Sequence, residues 1–230
     1  MGVVAFGRYR RPVTRIVLVR HGESQVSVDH VIGGDNGCTG LSDLGRLQVK
    51  SLGHRLERTE ELGTVDAIYA STLPRAVETG EILSASFGGM DLAIEPDVKE
   101  WDPGPEIDGL GWDEVEARFP PLDPWTPHDR RYPGSETWAE FTHRVGRGLH
   151  RIAAAHDGQT VVVACHGGVV EQSMVAFGGL SHHGEHLSFQ ISNASLTDWY
   201  RPDPDEPWWR PAGRWRLMRL NDAAHLEGIS

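Results

Sequence analysis

Two apolar runs in this chain end in the same way. Thr14-Arg15-Ile16-Val17-Leu18-Val19-Arg20 leads into His21-Gly22-Glu23-Ser24, and Thr160-Val161-Val162-Val163-Ala164-Cys165 leads into His166-Gly167-Gly168. A β-branched run without polar alternation fits a strand buried on both faces, as in a parallel sheet covered by helices. Ligands of such sheets sit beyond the carboxyl ends of the strands, where Arg20, His21 and His166 are expected. A third run, Asp66 to Ala70, passes through Ser71 to Pro74 and Arg75 at the start of a helix. Arginine offers a planar fork of donors that matches phosphate, histidine a nucleophilic nitrogen, and Gly22 and Gly167 allow close backbone approach. Two histidines and two arginines on one rim outline a phosphate site.

The remaining chain alternates strands and helices. Residues 25–40 read as a polar, glycine-rich loop walling a pocket. Ser42 caps a helix with Leu44, Leu47, Leu52 and Leu56 inward, ended by Gly63. Pro74 starts the next helix, with Ala76, Gly80, Leu83 and Phe87 inward. Leu92 to Glu95 reads as a short strand carrying Glu100 to the rim. Thr137 and Glu140 spell a capping box before the stripe Trp138, Phe141, Val145, Leu149 and Ile152. Val169 to Phe177 suits a helix, and 187–191, 195–200 and 214–220 suit strands. Residues 101–134 hold seven prolines and three tryptophans, which predicts an ordered, lid-like insert with one helix near 112–119. The expectation is a single α/β domain over residues 1–230, a three-layer sandwich with a mainly parallel central sheet.

Composition excludes several classes. The net charge of −11 argues against nucleic-acid binding and requires any phosphate site to focus positive charge locally. Two cysteines are too few for a disulfide framework and suit a reducing compartment. No stretch reaches transmembrane length or forms a signal segment, so the expected location is cytoplasmic and no membrane partner is implied. His182, His183 and His186 lack a carboxylate in helical register, so no metal or other cofactor is expected.

The ordered set Arg20-His21-Gly22, Leu41-Ser42-x-x-Gly45, Ser71-x-x-x-Arg75-x-x-x-Thr79, Lys99-Glu100, His166-Gly167 and Asn221-Asp222-x-x-His225-Leu226 resembles the histidine phosphatase superfamily, the phosphoglycerate mutase-like family. The resemblance spans about Arg15 to Leu226. It implies a histidine acid phosphatase-type phosphomonoesterase acting on a small phosphorylated metabolite through a phosphohistidine on His21. Arg20, Arg75 and His166 would clamp the phosphoryl group, with N–H groups near Gly22 and Gly167 assisting. Glu100 would donate the proton to the leaving oxygen, with Asp102 as runner-up. Glu23 and Ser24 would line the pocket, while Ser71 and Thr79 would orient Arg75 or cap its helix. Arg118, Arg130 and Arg131 offer themselves to a second anionic group. The partner expected is a small phosphate ester, and a homodimer is allowed. A phosphoglycerate mutase is the nearest alternative, and a non-catalytic phospho-ligand binding module is the third reading. The aromatic, proline-rich insert and the acidic chain favour the phosphatase.

Overall fold

The computed structural model describes residues 13–120, 126–181, 188–202 and 214–229. Six strands form one sheet in the order β3-β2-β4-β1-β5-β6. They are β1 (Thr14–Arg20), β2 (Ala67–Ala70), β3 (Leu92–Ile94), β4 (Thr160–Cys165), β5 (Leu196–Arg201) and β6 (Arg216–Asp222). β3, β2, β4 and β1 pair in parallel, whereas β5 runs antiparallel to both β1 and β6. The sheet is therefore mainly parallel, and the α/β class read from the sequence holds.

The uniform apolar character of the central strands follows from burial on both sides. Ile16, Leu18, Val161 and Val163 pack on one face against Phe141, Val145 and Leu149. Those residues belong to α5 (Trp138–Ala155), which lies beside α6 (Gly167–Ala176). Val17, Val19 and Val162 face the other way and pack with Val49, Leu52, Leu56 and Leu83, from α2 (Asp43–Thr59) and α3 (Pro74–Ser86). Alternate side chains of one strand thus enter two separate cores.

Helix ends follow local chemistry. The Ser42 side chain accepts from the Gly45 N–H, and Thr137 with Glu140 forms the reciprocal capping box. The inward face of α2 is Gly45, Val49, Leu52, Gly53 and Leu56, while Leu47 is 57% exposed, correcting the leucine stripe read from spacing. That helix ends at a left-handed Glu60, before the turn at Gly63. Residues 25–40 open with one helical turn, α1 (Gln25–Val28).

Two further expectations are corrected. β3 stops at Ile94 and a 3₁₀ turn at Pro96–Val98 intervenes, so Glu100 lies on extended chain beyond that turn rather than at a strand end. Residues 188–191 form no strand; they are held instead by side chains reaching over from β1 and β6. Leu187 falls outside the described residues.

Within 101–134 the helix read at 112–119 is present as α4 (Trp112–Arg118). Ile107, Val115 and Tyr132 from this insert form a small core with Ile32 of the 25–40 loop. The Asp108 carboxylate accepts three backbone N–H bonds, from Gly34, Asn36 and Gly37, at 2.7–2.9 Å. The insert and the glycine-rich loop are thereby tied into one wall.

The closest backbone approach lies where β1 ends. A Cβ at Gly45 would sit 2.0 Å from the Glu23 carbonyl oxygen, and one at Gly22 would sit 2.4 Å from the Gly45 carbonyl oxygen. Both obstacles are backbone, so the start of α2 can touch the chain after His21 only through glycines. Gly45→Ala is expected to destabilise the fold by about 1–3 kcal/mol, the usual cost of overpacking, measured as a lowered urea midpoint. An unchanged midpoint would show that this contact does not constrain the β1 exit.

Candidate active site

The parallel register aligns Arg20 with Cys165, and the ladder continues one step further as the His21 N–H donates to the Cys165 carbonyl at 2.8 Å. His21 and His166 therefore leave adjacent strands side by side, their rings 5.2 Å apart and edge-on. Ser71 leaves β2 beside them, its N–H donating to the Ala164 carbonyl at 3.0 Å. Arg75 lies one turn further, in the first turn of α3, which Pro74 opens.

Within this group the proton positions follow from the partners. The Nδ1–H of His21 donates to the Gly22 carbonyl at 2.6 Å, leaving the Nε2 lone pair to accept from Arg75 Nε–H at 3.1 Å. Arg75 also donates to the Gly33 carbonyl at 2.8 Å. Arg20 donates through Nη1 to the Ile191 carbonyl. His166 Nε2 lies 2.7 Å from the Ser71 hydroxyl, which also accepts from the N–H of Leu73 at the start of α3, at 3.4 Å, so Ser71 contacts His166 and the helix start rather than the Arg75 side chain. Thr79 accepts from the Gly22 N–H at 3.3 Å and donates to the Arg75 carbonyl at 2.8 Å, which links the two loops and occupies the Gly22 donor. Arg20 Nε and His166 Nδ1 are buried without a hydrogen-bond partner among the described residues. Gly167 opens α6, with Arg20 packed against it.

Glu100 reaches the same cleft. Its carboxylate accepts from the Trp101 N–H at 2.9 Å and the Gly168 N–H at 3.1 Å. A Cβ at Gly168 would collide with Glu100 at 2.2 Å, which explains the second glycine after His166. Asp102 is turned toward Lys99 and the Gly104 N–H, at 3.0 and 2.9 Å. Burial opposes it, yet those partners hold the Asp102 carboxyl below its ordinary value. Glu23 also departs from expectation: its carboxylate accepts from Ser42 at 2.6 Å, which locks the loop to α2. Ser24 does line the cleft, about 420 Å³ in volume. Of the insert arginines, Arg131 lines it, while Arg118 pairs with Glu114 and Arg130 with Glu140.

Several positioning residues were not legible as such. Asn193 and the Ala194 N–H both donate to the His21 carbonyl, at 3.2 and 3.1 Å. Asn221, in the left-handed region at φ 56°, accepts from the Ser192 N–H at 2.7 Å and donates to the Gln190 carbonyl at 2.9 Å. It thereby fixes the loop whose Ile191 carbonyl holds Arg20. Arg144 donates to the carbonyls of Asp97, Lys99 and Glu100 and pairs with Glu136 at 2.7 Å. Asn221 stands in a motif quoted from the sequence, and Arg144 is a charge beside an apolar helix stripe; neither pattern names its target.

Among the described residues no cluster of His, Cys, Asp or Glu could hold a metal; His182, His183 and His186 lie outside them. No helix there is long and apolar enough to cross a membrane. Cys165 is buried and free, its thiol pushed up by desolvation.

Burial, then the charges of Arg75 and Arg20, lower the basicity of His21 well below the ordinary 6.5. Burial first, then Arg75 and the neighbouring His21, does the same to His166. Both rings are thus neutral in the fold near neutral pH, whereas the unfolded chain binds their protons below about pH 6.5. The sign follows: this contribution to stability is complete above pH 6.5 and is lost as pH falls toward the folded-state values. Each ring then adds up to about 1.4 kcal/mol per pH unit to the decline. Urea unfolding at pH 7.5, 6.5 and 5.5 is expected to show this loss, with a shallower slope in His21→Ala; equal slopes would refute it.

The comparisons agree with this geometry. The family model described as "Histidine phosphatase superfamily (branch 1)" matches residues 16–211. Phosphoglycerate mutase-like protein 4 of Arabidopsis thaliana is 28% identical over 216 residues, 92% of this chain and 86% of that protein. The metal-independent phosphoserine phosphatase of the same plant is 27% identical over 221 residues, 94% of this chain and 85% of that one. Among solved structures, Bacillus stearothermophilus YhfR superposes with a TM-score of 0.73 at 27% identity, covering 94% of this chain and 100% of that chain. Two strand-end histidines, two arginines beside them and a family match over most of the length lead to one conclusion: the chain belongs to the histidine phosphatase superfamily, branch 1.

Proposed function

We propose that this protein is a phosphomonoesterase that hydrolyses a small phosphorylated metabolite through a phosphohistidine on His21. The observation that carries the reading is the pair of buried nitrogens without a partner among the described residues, Arg20 Nε and His166 Nδ1, on the residues that flank the His21 ring, whose Nε2 bears a lone pair. A buried donor without a partner is costly. A phosphoryl group placed against His21 would satisfy both, and it would take over the Arg75 N–H that now occupies Nε2.

The steps follow from these positions. The Nε2 lone pair attacks phosphorus, the ester P–O bond breaks, and the Glu100 carboxyl gives its proton to the leaving oxygen. The phosphoimidazolium keeps its Nδ1–H on the Gly22 carbonyl. Water then attacks phosphorus, returns a proton to Glu100, and the P–N bond breaks to release inorganic phosphate and neutral His21. Arg20, Arg75 and His166 hold the equatorial oxygens throughout, so catalysis is positioning and electrostatics. Because His21 is held below the usual imidazole value, the nucleophile stays unprotonated on the acid side of neutrality, which supports an acid phosphatase-type profile. A mutase must retain a bisphosphorylated intermediate, and beyond the floor Arg131 is the only cation among the described residues of the cleft wall. Two free, buried cysteines support a cytoplasmic reading.

His21→Ala is expected to abolish turnover with the fold intact, and rapid-quench mass spectrometry of the wild type should place an acid-labile adduct on His21. An adduct elsewhere, or near-normal activity of the variant, would overturn the mechanism. Glu100→Gln is expected to slow alkyl phosphate cleavage about 10²–10⁴-fold and p-nitrophenyl phosphate cleavage far less. Asp102→Asn should show no such dependence on the leaving group. The reverse pattern would move the proton donor to Asp102.

A further inference from the structure

The floor and the walls of the cleft differ in kind. Arg20, His21, Arg75 and Glu100 occupy the floor, whereas Val26, Val31, Ile32, Trp101, Trp112 and Tyr132 supply most of the walls. Trp112 lines the cleft and is half exposed, at 50%, so a large aromatic surface is open to whatever enters. It opens α4 just after Gly111, and a bridge between Val31 and Gly111 ties it to the facing loop, so the ring is held on a rigid support.

The polar side chains on those walls are few, and the one wall cation among the described lining residues, Arg131, lies over the Tyr132 ring, 5.6 Å from its centre. The Ser24 and Ser27 hydroxyls pair with each other at 2.8 Å. Among the described lining residues the only carboxylate is Glu100, already bonded to two N–H groups. A leaving group bearing an ammonium would meet three arginines, Arg20, Arg75 and Arg131, against that single acid, and a polyhydroxylated one would leave hydroxyls unpaired at a cost. An apolar body would instead gain by leaving water against these side chains.

Building on the phosphatase reading, we propose that the cleft selects phosphomonoesters whose leaving alcohol carries a flat apolar body, seated against Trp112. The substrate class is then an aromatic or similarly apolar alcohol phosphate, not an amino-acid or sugar phosphate.

The test compares 2-phenylethyl phosphate with ethyl phosphate and O-phosphoserine, all esters of alkyl alcohols, so that ring binding rather than leaving-group acidity dominates the comparison. The expected kcat/KM for 2-phenylethyl phosphate exceeds the other two by about tenfold or more. Trp112→Ala should lower it about tenfold more than it lowers kcat/KM for ethyl phosphate, and Trp112→Phe should retain the preference. Equal rates for the three esters, or a preference for O-phosphoserine, overturn this inference and leave the phosphatase reading standing. If the alanine variant does not fold, the wild-type ratio alone decides. Hydrolysis of none of the esters, with no adduct on His21, overturns both readings.

Discussion

The register between β1 and β4 is the constraint from which the site follows. Arg20 opposite Cys165 means that the next residue on each strand is a histidine, and both leave the sheet at one level. Successive side chains on a strand point to opposite faces, so a slip of one residue would separate the two rings. That register is enforced by burial: Val17 and Val19 enter the core beneath α2, while Ile16 and Leu18 enter the one beneath α5. A slipped strand would exchange those two sets. Packing throughout the interior thus fixes a 5.2 Å separation at the rim.

Charge is distributed as unevenly as the net value of −11 requires. Buried or half-buried arginines elsewhere are matched with acids: Arg15 with Asp198, Arg55 with Glu61 and Asp222, Arg144 with Glu136. Arg20 and Arg75 have carbonyl or imidazole partners instead. A carbonyl orients a guanidinium without cancelling its charge. The two site arginines therefore keep their field, which in the proposed mechanism acts on the phosphoryl group, and the same field, with burial, keeps both histidines neutral. On that proposal, one arrangement produces both the nucleophile and the anion clamp.

What could be read from the sequence was whatever is written locally. The apolar strands, the Thr137–Glu140 capping box and the Pro74 helix start each depend on neighbours in the chain, and each is present. The strand-end histidines were legible because sheet ends are where ligands sit. Leu47 was misread because near-helical spacing does not say which edge of the stripe meets the sheet. The bond from Ser71 to His166 was not legible because the two lie 95 residues apart. Residues 188–191 look apolar enough for a strand, yet their backbone groups bond to the Glu171, Arg20 and Asn221 side chains. Such long-range bonds leave no periodic trace. Asp108, which gathers three N–H groups of the facing loop, leaves none either.

The two kinds of contact divide the cleft by origin. Its floor is built from strand ends, helix starts and the short stretch carrying Glu100, locked by Thr79 between Gly22 and Arg75 and by Asn193 on the His21 carbonyl. Its walls are built from 25–40 and 101–134, held together by Asp108 and the small core around Ile107. These joints sit outside the sheet, so wall residues can change without disturbing the register that aligns His21 and His166. Arg75 is the link between the two parts, since it bonds His21 on the floor and the Gly33 carbonyl on the wall. A change in the glycine-rich loop therefore reaches the chemistry through one guanidinium, while a change at Trp112 has no such path and alters what enters.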